Sequence, residues 1–410
     1  MKKYLVINAG SSSLKFALYD VDNMDNYIEL ANGYIEKIGS EDSFYTIKTT
    51  AGKIKKEEYV KDHVGAVKIM LKELVDNNFI KDFSEIAGIG HRILHGGEYY
   101  QESVIIDEEV IKNVDSLAPL GPLHIPGSLN VIHEISEIMP DVEQVGVFDT
   151  AFHQTMPKEN YIYPVPLDWY KENNVRKYGF HGTSHKYITE KMKVILNKEN
   201  VNLIICHIGS GASISCIKEG KCIDTTMGLT PLDGLMMGTR SGSIDPSIIK
   251  YIMDQKGYSI DEVMNALNKK SGLLGICDKN DFRDITALVK SGNEKAKLAY
   301  DMFVNSTVKF IAQYYFELNG KVDSIVFTAG VGENAKEFRE DVVNKIAPVM
   351  NLEFSKEANN RISRHDKYTN GIIALSSTGL NVCVLPTNEE EMILKDTYNI
   401  VKEKAKVKRR

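Results

Sequence analysis

"YLVINAGSSSLKFALYD" (residues 4–20) is the stretch whose reading decides the fold. The apolar run Tyr4–Ile7 stops at Asn8, and a polar turn follows through Gly10 and three serines. Alternation then resumes with Leu14, Phe16 and Leu18, so the pattern is strand, turn, strand. Tight hairpins favour Asn-Gly or Asp-Gly. This turn is longer and rich in hydrogen-bonding groups, which suits an anion close to the backbone. The same order returns in "LIICHIGSGASISCIKEG" (203–220), where His207 holds the place of Asn8, 199 residues further on (207 minus 8). Two such hairpins half a chain apart predict a duplicated domain closing on a shared ligand.

Outward from these hairpins, strand and helix signals alternate, which predicts an α/β fold. "VGVFDTAF" (145–152) and "SIVFTAGVGEN" (324–334) are short apolar runs with strand character. "SLNVIHEISEIM" (128–139) puts Leu129, Ile132, Ile135 and Ile138 on one helical face behind Ser128 as N-cap. "KAKLAYDMFVNSTVKFIAQYYFELNG" (295–320) reads as a long helix stopped at Gly320. No Pro- or Ser-rich linker interrupts the chain, so any domain boundary is close-packed.

The chain has 410 residues, 43% hydrophobic and 26% charged, with a net charge of −6. Such a balance gives no general attraction to nucleic acid or to a membrane surface. The run after Met1-Lys2-Lys3 is too short for a signal-peptide core, and no stretch approaches the length of a membrane span. Five cysteines without a C-x-x-C fit a reduced, cytosolic protein with buried thiols. The basic tail "KEKAKVKRR" (402–410) reads as a solvated terminus.

Three small-residue turns, Gly10–Ser13, Gly209–Ser213 and Gly330–Asn334, could cradle a polyphosphate. None is a P-loop or a G-x-G-x-x-G fingerprint. Lys15 follows the first turn and can reach a phosphate. "GHRILHGG" (90–97) gathers His91, Arg92 and His95, and "FDTAFHQT" (148–155) ends a strand on Asp149. "YGFHGTSH" (178–185) carries His181 and His185, and "GLMMGTRSGSIDP" (234–246) sets Arg240 in a loop of small residues. Arginine in such a loop suits bidentate recognition of carboxylate or phosphate. Two arginines, an aspartate, a histidine and phosphate-facing turns point to phosphoryl transfer, which is mostly positioning and charge stabilisation. Zinc chemistry at His181 and His185 is disfavoured, because Gly182 holds the place of the glutamate in H-E-x-x-H. In "VLPTNEEEMI" (384–393), Glu389 is a carboxylate suited to a hard cation.

Seven motifs together resemble the acetate kinase family: "VINAGSSSLKF", "GHRILHGGE", "VFDTAFHQTMP", "YGFHGTSHKY", "DTTMGLTPLDGLMMGTRSG", "FTAGVGENA" and "LPTNEEEMI". They stand in the family's order and span nearly the whole chain. The resemblance implies duplicated ribonuclease-H-like domains of the actin-like ATPase kind, with mixed sheets flanked by helices and the active site in the interdomain cleft. It implies residues 1–150 plus 387–410 as one domain and 151–386 as the nucleotide-binding one. It implies Mg2+-dependent transfer (Mn2+ as an alternative ion) from ATP to acetate, giving acetyl phosphate and ADP, in a cytosolic homodimer.

Carried over by position, Asn8 and Glu389 serve the metal and Lys15 the nucleotide phosphates. Arg92 and Arg240 grip the carboxylate and the moving phosphoryl group, His181 stabilises the transition state, and Asp149 is the catalytic acidic residue. ATP is expected on His207, Ile208, Gly209, Ser210 and Gly211, on Asp281, Phe282 and Arg283, and on Gly330, Val331, Gly332, Glu333 and Asn334. Leu94, Leu123, Phe180 and Pro231 are expected to line the acyl pocket.

The chain departs from the family pattern at Ser210 and Ile125, each in place of an asparagine. Ser243 replaces an aspartate and removes a carboxylate expected close to Arg240. Leu94 stands where valine is common, and a bulkier wall disfavours longer acyl chains. Acetate is thus the expected substrate, with a sibling kinase for formate or propionate as the alternative. A chaperone-like or filament protein of the same superfamily is the third reading. It has no use for a carboxylate clamp built of Arg92, Asp149, His181 and Arg240.

Overall fold

A computed structural model of the chain describes residues 2–49, 52–122, 124–362 and 371–407. The chain divides into two compact units, Met1–Phe152 with Asn388–Arg410, and His153–Thr387.

In the first unit the strands are β1 (Lys2–Ala9), β2 (Ser13–Asn23), β3 (Asn26–Glu36), β4 (Phe44–Thr49), β5 (Gly52–Glu57), β6 (Ile86–Ile93), β7 (Val104–Ile105) and β8 (Gln144–Phe148). They form one sheet in the order β5-β4-β3-β2-β1-β6-β8-β7. β1 pairs antiparallel with β2 and parallel with β6, and β6 pairs parallel with β8. Leu5, Ile7, Leu14, Phe16 and Leu18 enter an apolar core with Ala66, Val67, Met70 and Leu71 of the helix His63–Asp76. Asp62 caps that helix through Gly65 N at 2.9 Å. The other sheet face takes the helix Glu389–Val407, whose Ile393, Leu394 and Tyr398 pack on Tyr4, Val6, Val145 and Val147. Burying each such aliphatic side chain contributes about 1.5–3 kcal/mol. Contact is close enough that a Cβ at Gly90 would meet Thr397 Oγ1 at 2.2 Å and Ile393 Cγ2 at 2.6 Å.

In the second unit the strands are β9 (Leu203–Ile208), β10 (Ala212–Lys218), β11 (Lys221–Thr225), β12 (Ser324–Thr328), β13 (Leu352–Phe354), β14 (Gly371–Ser376) and β15 (Asn381–Val384). Their order is β11-β10-β9-β12-β15-β14-β13. β9 pairs antiparallel with β10 and parallel with β12, which pairs parallel with β15. This repeats the first unit's β3-β2-β1-β6-β8, and the fold is a duplicated α/β fold with mixed sheets flanked by helices. The hairpin register carries the repeat to single residues: Asn8 faces Lys15, and His207 faces Ser213.

Local readings need three corrections. The helix placed behind Ser128 starts at Ile125, with Pro126 in its first turn and Ser128 buried inside it. Proline is pre-set for a first helical turn, so the helix begins earlier than a serine cap suggests. The long helix covers Glu294–Glu317, and the chain turns through Asn319 and Gly320 at positive φ. Gly330–Asn334 is not an open turn: β12 runs straight into a short helix, Ala329–Asn334. All five cysteines are buried and unpaired with one another. Among the described residues no helix is long and apolar enough to cross a membrane.

Candidate active site

In the first unit three parallel neighbours, β1, β6 and β8, bring their C-terminal ends to one edge. Asn8 and Arg92 are register partners, and Asp149 follows β8 directly. Open α/β sheets bind ligands beyond such strand ends. Arg92 donates two hydrogen bonds to Asp149, Nε to Oδ1 at 2.9 Å and Nη2 to Oδ2 at 2.6 Å. Its Nη1 lies 3.5 Å from Asn8 Oδ1. Asp149 is fully buried, while the Arg92 side chain keeps 22% exposure. The aspartate therefore fixes the plane of the guanidinium and leaves one edge for another anion.

Glu389 opens the helix Glu389–Val407. Its Oε1 is buried and has no hydrogen-bond partner among the described residues. Burial raises its pKa above the ordinary carboxylate value, with Asp149 and Glu390 adding to the rise and Arg92 and Lys15 opposing it. An orphaned carboxylate oxygen in that setting fits a hard cation. No three His, Cys, Asp or Glu side chains converge among the described residues. Mg2+ is usually held by one or two carboxylates plus water and substrate phosphates, so the donors present fit it.

The first turn is exposed at Ser11 and Ser12, and Lys15 is exposed beyond it. Gly10 N donates to Ser13 O at 2.8 Å, closing the turn. His63 Nε2 lies 2.8 Å from Gly10 O, a brace the sequence reading missed. His91 belongs to the interior: it bonds Gln144 Oε1 at 2.7 Å, and burial lowers its pKa to about 4. Leu94 is half-buried, and its Cδ2 lies 2.9 Å from the Cβ position of Gly121. Ile125 is buried in the apolar cluster around Ile93 and Leu129, so this departure is a core residue. Leu123 lies outside the described residues.

In the second unit, His181 takes φ 58 at the head of the helix Gly182–Leu196. Its ring stacks on His207 at 4.1 Å. Arg240 is half-buried and donates from Nη1 to Pro231 O at 3.1 Å. No carboxylate pairs with it among the described residues, and burial lowers its pKa. A Cβ at Gly211 would lie 3.5 Å from Arg240 Nη1 and 3.7 Å from His181 Nε2. Glycine thus leaves room beside both donors. Pro231 holds Arg240 through its carbonyl, and Phe180 is buried with its carbonyl bonded to His153 Nε2 at 2.9 Å. Ser243 Oγ donates to Asp233 Oδ1 at 2.6 Å and braces the loop.

A cavity of about 870 Å³ in this unit is lined by Gly209, Ser210, Asp281, Phe282, Arg283, Gly330, Val331 and Asn334, among others. The structure thus gathers eight of the expected nucleotide residues. Asp281 caps the helix Phe282–Lys290 and pairs with Arg283, which lowers its pKa to about 2. Ile208 and Gly332 are buried, and Glu333 turns inward, accepting from Ala329 N at 2.9 Å and Thr387 N at 3.2 Å. The Glu333 carboxylate therefore braces the backbone rather than lining the cavity.

A duplicated α/β fold of this strand order, with a nucleotide-sized cavity and a guanidinium that no carboxylate pairs among the described residues, defines a kinase of the actin-like ATPase class. The family model described as the acetokinase family matches residues 3–395, and the chain belongs to that family. It is 48% identical to an acetate kinase of Thermoanaerobacterium thermosaccharolyticum, over 97% of this chain and 99% of that one. The crystal structure of Porphyromonas gingivalis acetate kinase matches with a TM-score of 0.90 at 40% identity, covering 98% of this chain and 100% of that one. A propionate kinase from Francisella tularensis subsp. tularensis SCHU S4 matches with a TM-score of 0.90 at 41% identity, with the same coverage.

Proposed function

We propose that this chain transfers the γ-phosphoryl group of ATP to acetate, reversibly, giving acetyl phosphate and ADP. The observation that carries this reading is Arg240, a half-buried guanidinium without an anionic partner beside His181 Nε2. The Pro231 carbonyl offsets part of its desolvation, and an arriving anion would offset the rest.

An acetate oxygen attacks the γ-phosphorus as the bond to the β-phosphate oxygen breaks, and ADP leaves with that electron pair. Acetate is already ionised at neutral pH, so no general base is needed. Arg92, its plane fixed by Asp149, and Arg240 offset the repulsion between two anions. His181 donates to the moving group. Glu389 and Asn8 would hold Mg2+, which supplies charge neutralisation on the phosphate oxygens when bound. Lys15 reaches the nucleotide phosphates, and the 870 Å³ cavity takes the rest of the nucleotide. Leu94, Leu123, Phe180 and Pro231 serve the acyl group. The resemblance also supports a cytosolic homodimer, which sedimentation of the purified chain tests.

Purified protein with ATP, Mg2+ and a panel of acids, with hydroxylamine trapping acyl phosphates, tests the reaction. Acetate should give the highest kcat/KM. A higher value for propionate or formate overturns the substrate. No hydroxamate from any acid, with nucleotide still bound, overturns the activity.

A further inference from the structure

The helix Gly182–Leu196 and β10 meet through two different periodicities. His181 and His185 stand about one helical turn apart, roughly 5.4 Å of rise. Ser213 and Ser215 share one face of β10, roughly 6.8 Å apart. Ser213 Oγ lies 2.9 Å from His181 Nδ1 and 2.8 Å from His185 Nε2. Ser215 Oγ lies 2.7 Å from His185 Nδ1. His185 and both serines are fully buried.

Hydrogen-bond direction follows from the closed end of this chain. Among the described residues His185 Nδ1 is the one partner the structure gives Ser215 Oγ. A buried O–H without an acceptor is costlier than a spare lone pair, so Ser215 donates. His185 then carries its proton on Nε2 and donates to Ser213 Oγ. Ser213 in turn spends its own O–H on His181 Nδ1. The proton of His181 is left on Nε2, the nitrogen beside Gly211 and Arg240.

We infer that Ser215, His185 and Ser213 are positioning residues that hold His181 as the neutral Nε2–H tautomer, aimed at the phosphoryl group. This rests on the reading of His181 as a transfer residue. Burial, with His153 and His207 nearby, keeps His185 far below its ordinary pKa, so the middle of the chain stays uncharged. His181 then acts as a neutral donor whose hydrogen bond strengthens as charge gathers on the transferring oxygen, and not as a proton acceptor.

Long-range proton–nitrogen NMR of the full chain with labelled histidine tests this, His181 being assigned by its loss in His181→Gln. At neutral pH the expected result is a proton on Nε2 and a bare Nδ1. A proton on Nδ1, or on both nitrogens, overturns the inference. In Ser213→Ala the tautomer should become mixed and kcat should fall roughly tenfold, with KM for ATP and acetate unchanged. An unchanged tautomer and kcat in that variant overturn it as well. If Ser213→Ala does not fold, the wild-type spectrum still decides. Full turnover in His181→Gln would instead sink the transfer role of His181, while the spectrum tests the tautomer separately.

Discussion

Asp149 is a buried carboxylate whose part in the proposed reaction, holding Arg92, needs no proton chemistry. Both its oxygens accept from Arg92. Asp149→Asn keeps the shape but loses one charge-assisted bond and the matching fork, which costs about 1.5–3 kcal/mol. Turnover should fall roughly 10–100-fold, with KM for ATP nearly unchanged. Steady-state kinetics checks this, and wild-type turnover would remove the role. Leu94 makes a second residue-scale test. Under the proposed placing of Leu94 on the acyl group, Leu94→Ala should raise the propionate-to-acetate ratio of kcat/KM about 10-fold, near the worth of one or two methylenes. Arg240 and Asp149 stand out in the sequence because each breaks local pattern: an arginine among glycines, an aspartate ending an apolar strand. Ser213 and Ser215 break none. A serine at every second strand position looks like an ordinary half-polar strand, and only the facing i, i+4 histidines give it meaning. Ser243 shows a partner that residue order hides, since its Oγ bonds Asp233 Oδ1, ten residues back.

At the scale of elements, two glycines separate packing from chemistry. Gly90 in β6 touches the helix Glu389–Val407 so closely that an alanine must displace Thr397 or Ile393. Gly90→Ala should destabilise the first unit by about 1–3 kcal/mol, read by denaturant titration. At Gly211 the added methyl meets only ordinary contacts, the nearest being Arg240 Nη1 at 3.5 Å. Gly211→Ala should leave the melting temperature alone and lower kcat, because it fills the space beside both donors. Equal thermal loss in the two variants would contradict this separation. The paired hairpins were readable because strand alternation has a strict period and their turn residues repeat. Helix ends were less so: Pro126 can open a helix or break one, and the choice depends on whether Ile125 has a core to enter. It has one, among Ile93, Leu129 and Ile132.

For the whole molecule, pH dependence has a defined source in the second unit. Glu317 is pushed up to about 7 by burial and by Asp224, against Asn160 and Lys177. Asn160 Nδ2 donates to its Oε1 at 2.6 Å, and Lys177 pairs with Asp224 at 2.6 Å. The folded chain thus holds this proton more tightly than the unfolded chain. That stabilisation is full below the unfolded value near 4.5, and it is lost as pH rises through about 7. Glu317→Gln should therefore melt higher than wild type in alkaline buffer, by roughly 2–4 °C, and match it in mild acid. Equal melting temperatures in alkaline buffer would refute the assignment. No reading of residue order could have found this group, because Asp224 and Glu317 lie far apart in sequence and meet only through β11 and the helix Glu294–Glu317.

The five interior thiols have a practical side. Burial pushes Cys383 up to about 11, and drives Cys206, Cys216 and Cys222 further still. Alkylating reagents attack an accessible thiolate, and all five thiols are buried, so the folded chain should react slowly with maleimides. A fluorophore pair could be attached through two introduced surface cysteines, one in each unit, with every native cysteine left in place. Energy transfer between the dyes would then report directly whether nucleotide and acetate change the distance between the halves.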